Sequence, residues 1–216
     1  MKNILKSQIK EFCNSKELCA RIEDITFDIN KLKEDVSLIF DTHLPIGKDK
    51  QSSYKALGLQ YRDSLGDQDI YYDCVKTTRY IDENHKSIIE THPANLWNLW
   101  NDLGEKLNYV YKPIYELDLE LWRTRLLVAE GKYQSLKHID YDWRYHVPIM
   151  TNTNCFLEYE NEKIHLPADG HAYIVNAGFM HSFSNGGLTP RYHYCGILSL
   201  PNEGDGLKPQ SLLYWN

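Results

Sequence analysis

The sequence predicts a mainly β, α+β protein: a double-stranded β-helix of the jelly-roll, cupin-like shape, with amino-terminal helices packed against it. Three observations predict it. The second half of the chain is a series of short strand-like runs, each closed by a turn signal, and many short strands at such spacing argue for an antiparallel sandwich or barrel. Helix-period stripes are confined to the first half. The chain also holds 16 Tyr and 5 Trp, residue types that suit a half-buried pleated surface. At 216 residues it is long enough to bury a substantial core. No linker, repeat or low-complexity tract divides it. We therefore expect residues 1–216 to form one domain, with a helical and mixed support region over about 1–120 and the β-helix over about 121–201.

Taken in order, Ile4, Leu5, Ile9, Phe12, Leu18 and Ile22 stand among lysines and glutamates and predict helix over residues 2–22. Residues 29–40 predict a second helix, with Leu32, Val36 and Ile39 on one stripe and Asp28 or Asn30 as its cap. Pro45 and Gly47 lie in the break that follows. Tyr54, Ala56, Leu57, Leu59 and Tyr61 partly alternate and start the sheet over 53–62. Residues 63–84 are polar and irregular and read as a surface loop. Thr91-His92-Pro93 introduces a third helix over 95–109, where Leu96, Trp97, Leu99, Trp100, Leu103 and Leu107 recur at helical spacing and pack in the core. Strands are then expected at 123–130, 133–140, 144–152, 155–160, 163–166, 171–176, 181–184 and 191–200. Glu130-Gly131, Asn152-Thr153-Asn154, Asn161-Glu162, Pro167-Ala168-Asp169-Gly170, Asn176-Ala177-Gly178 and Asn185-Gly186-Gly187 separate them.

Charge and cysteine usage narrow the function. A net charge of −6, with no lysine-arginine cluster, argues against a nucleic-acid partner. Lysines interrupt the amino terminus before an apolar core of a signal peptide forms, and no apolar run reaches the ~20 residues that span a bilayer. Neither secretion nor a membrane is expected. The five cysteines include no Cys-x-x-Cys, so neither a zinc knuckle nor a redox dithiol is indicated. A cytoplasmic, reducing setting fits them best. Gly-x-Gly-x-x-Gly and phosphate-binding loops are absent, which disfavours nucleotide chemistry.

The chemistry concentrates at residues 136–146. His138 and Asp140 are two apart and share a face in extended chain. An imidazole beside a carboxylate supplies two legs of the 2-His-1-carboxylate facial triad that holds non-heme Fe(II). His181 offers the third leg, and Arg191 follows ten residues later. Three ligands on one face leave three positions open: two for a chelating 2-oxo acid and one for O₂. The far carboxylate of such an acid calls for a cation, and arginine meets it through its bidentate fork. Asp142 competes with Asp140, but only Asp140 has the His-x-Asp parity. Arg144 also reads as a surface cation or a partner of Asp142, and His146 as a hydrogen-bonded core histidine. Arg123 and Arg125 share a face and suit an anionic group or structural pairing. His193 shares parity with Arg191. Histidines 43, 85, 92, 165 and 171 read as structural or exposed.

These motifs resemble the aspartyl/asparaginyl β-hydroxylase-like Fe(II)/2-oxoglutarate oxygenases, near the small cis-proline hydroxylase branch. Arg144-Tyr145-His146-Val147-Pro148-Ile149 looks like that family's Arg-x-His-(Ile/Leu)-Pro-Leu strand. Gly170-His171-Ala172-Tyr173-Ile174-Val175-Asn176 looks like its Gly-Glu-x-Trp-x-x-(Asp/Asn) strand, with His171 where an acid is common. His181-Ser182-Phe183-Ser184-Asn185 looks like its His-x-Val-x-Asn segment. The resemblance covers about residues 120–200. It implies that His138, Asp140 and His181 hold Fe(II), that Arg191 binds 2-oxoglutarate, and that Arg144 and His146 orient its metal-proximal end. It further implies hydroxylation of an amino acid or peptidyl side chain at an unactivated C–H, with O₂ as cosubstrate and release of succinate and CO₂. Mammalian peptide hydroxylases of the family carry glycine where this chain has Asp140, so the resemblance points to a three-ligand site. Substrate-binding residues are left open. The alternatives are a cupin-type metalloenzyme that does not use 2-oxoglutarate, and a non-catalytic barrel that binds or senses.

Overall fold

The amino-terminal segment, expected to be helical, is largely strand. In the computed structural model, which describes residues 1–47, 52–62, 70–72, 79–81, 87–89, 97–140 and 142–199, β1 (Lys2–Ile4) and β2 (Cys19–Thr26) pair in parallel. Between them lie one 3-10 turn (Lys6–Gln8) and a short helix, α1 (Ile9–Cys13). The helical stripe was real only for Ile9 and Phe12, both buried. Beyond them Ala20 and Ile22 are buried with Arg21 between, a period of two that sheet pairing uses and a helix does not. The helix α2 (Ile29–Thr42) follows as expected. Asp28 caps it by accepting from the amides of Asn30 and Lys31, and Leu32, Val36 and Ile39 face the core.

The strand β4 (Tyr54–Gly58) bears out the expected start of the sheet, while β3 (Ile46–Gly47) pairs with it from within the expected break and β5 (Gln60–Tyr61) belongs to a separate two-stranded sheet. Most of the loop expected over 63–84 lies outside the described residues. Its part at β6 (Arg79–Ile81) is a strand, paired with β7 (Ser87–Ile89). The third helix is also corrected: its first residues lie outside those described, and β8 (Leu99–Trp100) pairs with β5 before helix begins. Helix then runs through α3 (Asp102–Lys106) and α4 (Asn108–Tyr115), with Asn101 capping α3 through the Gly104 amide. Pairing to β5 claims the backbone of Leu99 and Trp100, so the apolar stripe starts late. Trp97 is buried and Trp100 stacks on Tyr111 at 4.0 Å, the packing roles the sequence assigned them.

The expected strands follow as β9 (Glu120–Ala129), β10 (Tyr133–Gln134), β11 (Trp143–Met150), β12 (Cys155–Glu158), β13 (Lys163–Ile164), β14 (His171–Asn176), β15 (Ser182–Asn185) and β16 (Arg191–Ser199). An eight-stranded sheet has the order β1-β2-β14-β11-β16-β9-β4-β3, and a four-stranded sheet the order β10-β15-β12-β13. β2 onwards, every pair in these two sheets is antiparallel. This is the double-stranded β-helix expected from the strand spacing.

Alternation along β11 and β16 divides the core in two. Trp143, Tyr145, Val147, Tyr194 and Leu198 join the helices in one apolar cluster. Leu157, Ile164, Leu166, Tyr173, Val175 and Phe183 fill the gap between the sheets. Arg144 and His146, and likewise Arg191 and His193, alternate with the first group and so face the gap. One irregularity lies nearby. β9 carries an extra residue against β16, where Cys195 pairs with Arg125 but Ile197 pairs with Trp122. Arg123 sits in this bulge at φ 52°. The Gln60 side chain clamps it, donating to the Leu121 carbonyl at 2.7 Å and accepting from the Thr124 amide at 2.9 Å.

Candidate metal centre

The chain brings His138 and His181 together through their backbones. Each amide donates to the other's carbonyl, at 2.8 and 2.9 Å, so the two residues form one antiparallel bridge just beyond β10 and β15. The regular strand expected through Asp140 stops at Gln134, and this single bridge takes its place. Asp140 is anchored next door, its amide donating to the Ala177 carbonyl at 2.9 Å. One ligand atom from each of His138, Asp140 and His181 lies within 4.8 Å of the others. Asp142 is not in this group; its carboxylate lies 3.4 Å from Arg144, which Asp140 also contacts.

The orientation of both imidazoles is fixed from behind. Nδ1 of His138 lies 2.8 Å from the Leu136 carbonyl, and Nδ1 of His181 lies 2.9 Å from that of Phe179. A carbonyl only accepts, so each Nδ1 carries a proton, and in the neutral ring each Nε2 presents a lone pair. Those Nε2 atoms stand 3.8 and 4.0 Å from Asp140 Oδ2. Two lone pairs and a carboxylate thus converge with no proton between them, an arrangement that a divalent cation completes. Burial holds His181 below the ordinary imidazole pKa, which keeps it an unprotonated donor. Burial opposes ionisation of Asp140, but Arg144, His138 and His181 outweigh it and hold its carboxyl below the usual range. The ligand set opens to solvent on one side: the side chains of His138 and Asp140 are 44% and 37% exposed, whereas His181 is buried.

Behind these three candidate ligands the gap between the sheets is lined with cations. Arg144 reaches Asp140 and Asp142 at 3.3 and 3.4 Å, yet its buried Nε has no partner. Arg144 is therefore buried rather than a surface cation, and it pairs with Asp142 as one sequence reading expected while also contacting Asp140. His146 is buried beside it, and burial, then Arg191 and Arg144, push its pKa well down. Arg191 is only 5% exposed. Its guanidinium carbon lies 3.9 Å over the Phe183 ring, and its nitrogens touch His193. Among the described residues no carboxylate lies within ion-pair distance of it. Burial brings its pKa down to about 10, the mark of a cation without a counter-ion.

Two residues that the sequence left undecided belong to this lining. His193 is fully buried against Arg191 and His146. Arg125, level with Cys195 in the sheet, has a buried Nε without a partner. The bulge separates it from Arg123, which lies over the Trp97 ring at 5.0 Å, so the two arginines do not act as a pair. Parity from Arg191 was the signal for His193; no sequence signal distinguished Arg125 from Arg123, because the bulge is a tertiary feature. His171 is a structural residue, within 2.9 Å of Arg21 and 3.2 Å of Asp169. His165 contacts the Cys155 carbonyl, and histidines 85 and 92 lie outside the described residues. A groove of about 600 Å³ lies elsewhere, between α2 at Phe40 and the large sheet at Val128 and Tyr192, and none of the metal-ligand candidates lines it.

No protein-family model matches the chain, and no curated protein matches it in sequence. Solved structures do. A prolyl hydroxylase from Trichoplax adhaerens, in complex with a hypoxia inducible factor oxygen degradation domain peptide fragment, superposes with a TM-score of 0.53 at 9% identity, over 90% of this chain and 86% of that one. An oxidoreductase of the 2OG-Fe(II) oxygenase family from Burkholderia pseudomallei superposes with a TM-score of 0.50 at 10% identity, over 94% of this chain and 91% of that one. At such identities the likeness is one of fold. The chain shares the double-stranded β-helix with 2OG-Fe(II) oxygenases. No helix among the described residues is long and apolar enough to cross a membrane.

Proposed function

We propose that this protein is an Fe(II)/2-oxoglutarate-dependent dioxygenase that hydroxylates an unactivated C–H of an amino acid or peptidyl side chain. The observation that carries the reading is the buried, counter-ion-free Arg191 in the same gap as the converging His138, Asp140 and His181. A lone metal needs no such arginine; a metal-chelating dicarboxylate does. The three ligands would hold Fe(II), Arg191 would take the far carboxylate of 2-oxoglutarate, and Arg144 and His146 would orient its near end. Iron, 2-oxoglutarate and O₂ would supply the oxidising chemistry, one oxygen atom leaving in succinate with release of CO₂ and the other entering the substrate as hydroxyl. The chain's own part is position and charge. Arg144 is kept protonated by Asp140 and Asp142 despite burial, and His146 stays neutral, so one donates as a cation and the other as a neutral imidazole. Cys13, Cys19, Cys155 and Cys195 are free and buried, which supports a reducing, cytoplasmic setting.

Burial of Arg191 also weighs against the two alternatives. A cupin-type metalloenzyme without a 2-oxo acid would leave a buried cation unpaired, a costly arrangement with no return. The same holds for a binding module that does not take an anion. Succinate formation from 2-oxoglutarate, dependent on added Fe(II) and O₂, tests the reading, since slow turnover without substrate is expected. Metal uptake with no 2-oxoglutarate binding and no succinate would leave only the metalloprotein alternative.

A further inference from the structure

His193 grips Arg191, and none of the roles assigned above explains why a histidine stands there. The residue lies two positions along β16 on the same face, with 0% exposure. Arg191 Nε donates to His193 Nε2 at 2.8 Å, and Arg191 Nη2 approaches Nδ1 at 2.5 Å. On the far side His146 Nδ1 is 3.4 Å from the same Nδ1. A neutral imidazole has one lone-pair nitrogen, so only one of the two arginine contacts is a full hydrogen bond. Among the described residues His193 alone offers the guanidinium a hydrogen-bond acceptor.

The chemical type of the residue matters more than its size. A carboxylate at this position would meet the guanidinium as a forked ion pair and neutralise it inside the protein. An apolar side chain would give it no acceptor at all. Imidazole does neither: it fixes the orientation of the cation without cancelling its charge. Burial, then Arg191 and His146, keep the ring neutral.

We propose that His193 is a positioning residue, a neutral acceptor that aims Arg191 into the gap between the sheets while reserving its charge for the far carboxylate of a dicarboxylate cosubstrate. This rests on the reading of Arg191 given under the proposed function. It adds that the anion site is specified by two residues of β16, only one of which touches the anion.

Three variants separate this from plain packing: His193→Gln keeps a neutral acceptor, His193→Glu has the same shape with a charge, and His193→Leu has no acceptor. Two quantities are measured, the dissociation constant of 2-oxoglutarate for the Mn(II)-loaded protein by calorimetry, and the thermal midpoint of the metal-free protein. The Gln variant should bind within about 3-fold of the parent, whereas the Glu variant should lose about 100-fold or more and yet melt higher, because a buried cation gains its counter-ion. The Leu variant should lose affinity by about 10-fold or more and melt lower. A packing role predicts no such opposition between affinity and stability. Equal affinity in the Gln and Glu variants, or a lowered midpoint in the Glu variant, overturns the proposal. A parent protein that takes up Mn(II) but not 2-oxoglutarate overturns the functional reading itself, and the proposal with it.

Discussion

His138 and His181 are joined by a reciprocal pair of backbone hydrogen bonds, so two residues 43 positions apart behave as one fixed fork. Neither side chain takes part in that bridge. Replacing His181 by Ala should therefore leave the metal-free protein folded, with stability within about 1 kcal/mol of the parent apart from the small cavity made. Divalent metal affinity should fall by about 100-fold or more, exceeding the loss seen when even an outer partner of a metal site is removed. Calorimetric titration with Mn(II), alongside urea unfolding, measures both. Undiminished metal binding would remove His181 from the ligand set.

Acid should destabilise the metal-free protein well above the carboxylate range. Burial depresses the pKa of both His146 and His193 far below the ordinary 6.5. Unfolded chains take up protons on these rings as pH falls through 6.5, while the folded state does not. The unfolded state thus binds more protons, and stability rises with pH up to about 6.5 and is lost below it. Each ring contributes a slope of about 1.4 kcal/mol per pH unit in that window. Urea unfolding between pH 7.5 and 5, at spacings of about half a unit, should show the slope, and His193→Gln should remove one ring's share.

Gln60 is the clamp on the β9 bulge, and its loss should be costly. Its side chain satisfies the Leu121 carbonyl and the Thr124 amide, all in fully buried surroundings. Gln60→Ala leaves both backbone groups without a partner, at about 1–3 kcal/mol each before any water enters. Chemical denaturation should register a loss of about 2–4 kcal/mol, larger than a surface substitution gives. A loss under about 0.5 kcal/mol would mean that the bulge holds itself.

Gly170 should not tolerate a side chain. It has φ 87° and accepts from the Phe27 amide at 2.8 Å, and a Cβ there would lie 2.5 Å from the Phe27 carbonyl oxygen. Gly170→Ala combines left-handed strain with a backbone clash, an expected cost of about 1–3 kcal/mol. Thermal melting checks it. Because Gly170 leads into β14, the variant should loosen the contact between β2 and β14 in particular.

Legibility in the sequence followed the range of the interaction. Period-two runs after residue 120 showed the strands, since antiparallel ladders print alternation locally. Asp28 and the Leu32–Val36–Ile39 stripe showed α2 for the same reason. Ile4 to Ile22 misled because six apolar residues fitted a helical spacing, while the pairing of β2 with β14 is a contact across about 150 positions that no local window contains. His138, Asp140, His181 and Arg191 could be singled out because metal and anion chemistry admits few residue types, and the fold brings the first three together. Arg125 was not distinguishable from Arg123, because an extra residue in β9 sets which of them turns inward.

The two halves of the site belong to different sheets. His138 and His181 extend the four-stranded sheet, whereas Arg144, His146, Arg191 and His193 stand on the eight-stranded one. A metal-bound dicarboxylate reaching Arg191 would therefore act as a rivet through the sandwich. Amide exchange in β15 and β16 should then slow in concert on binding, although no hydrogen bond joins those strands.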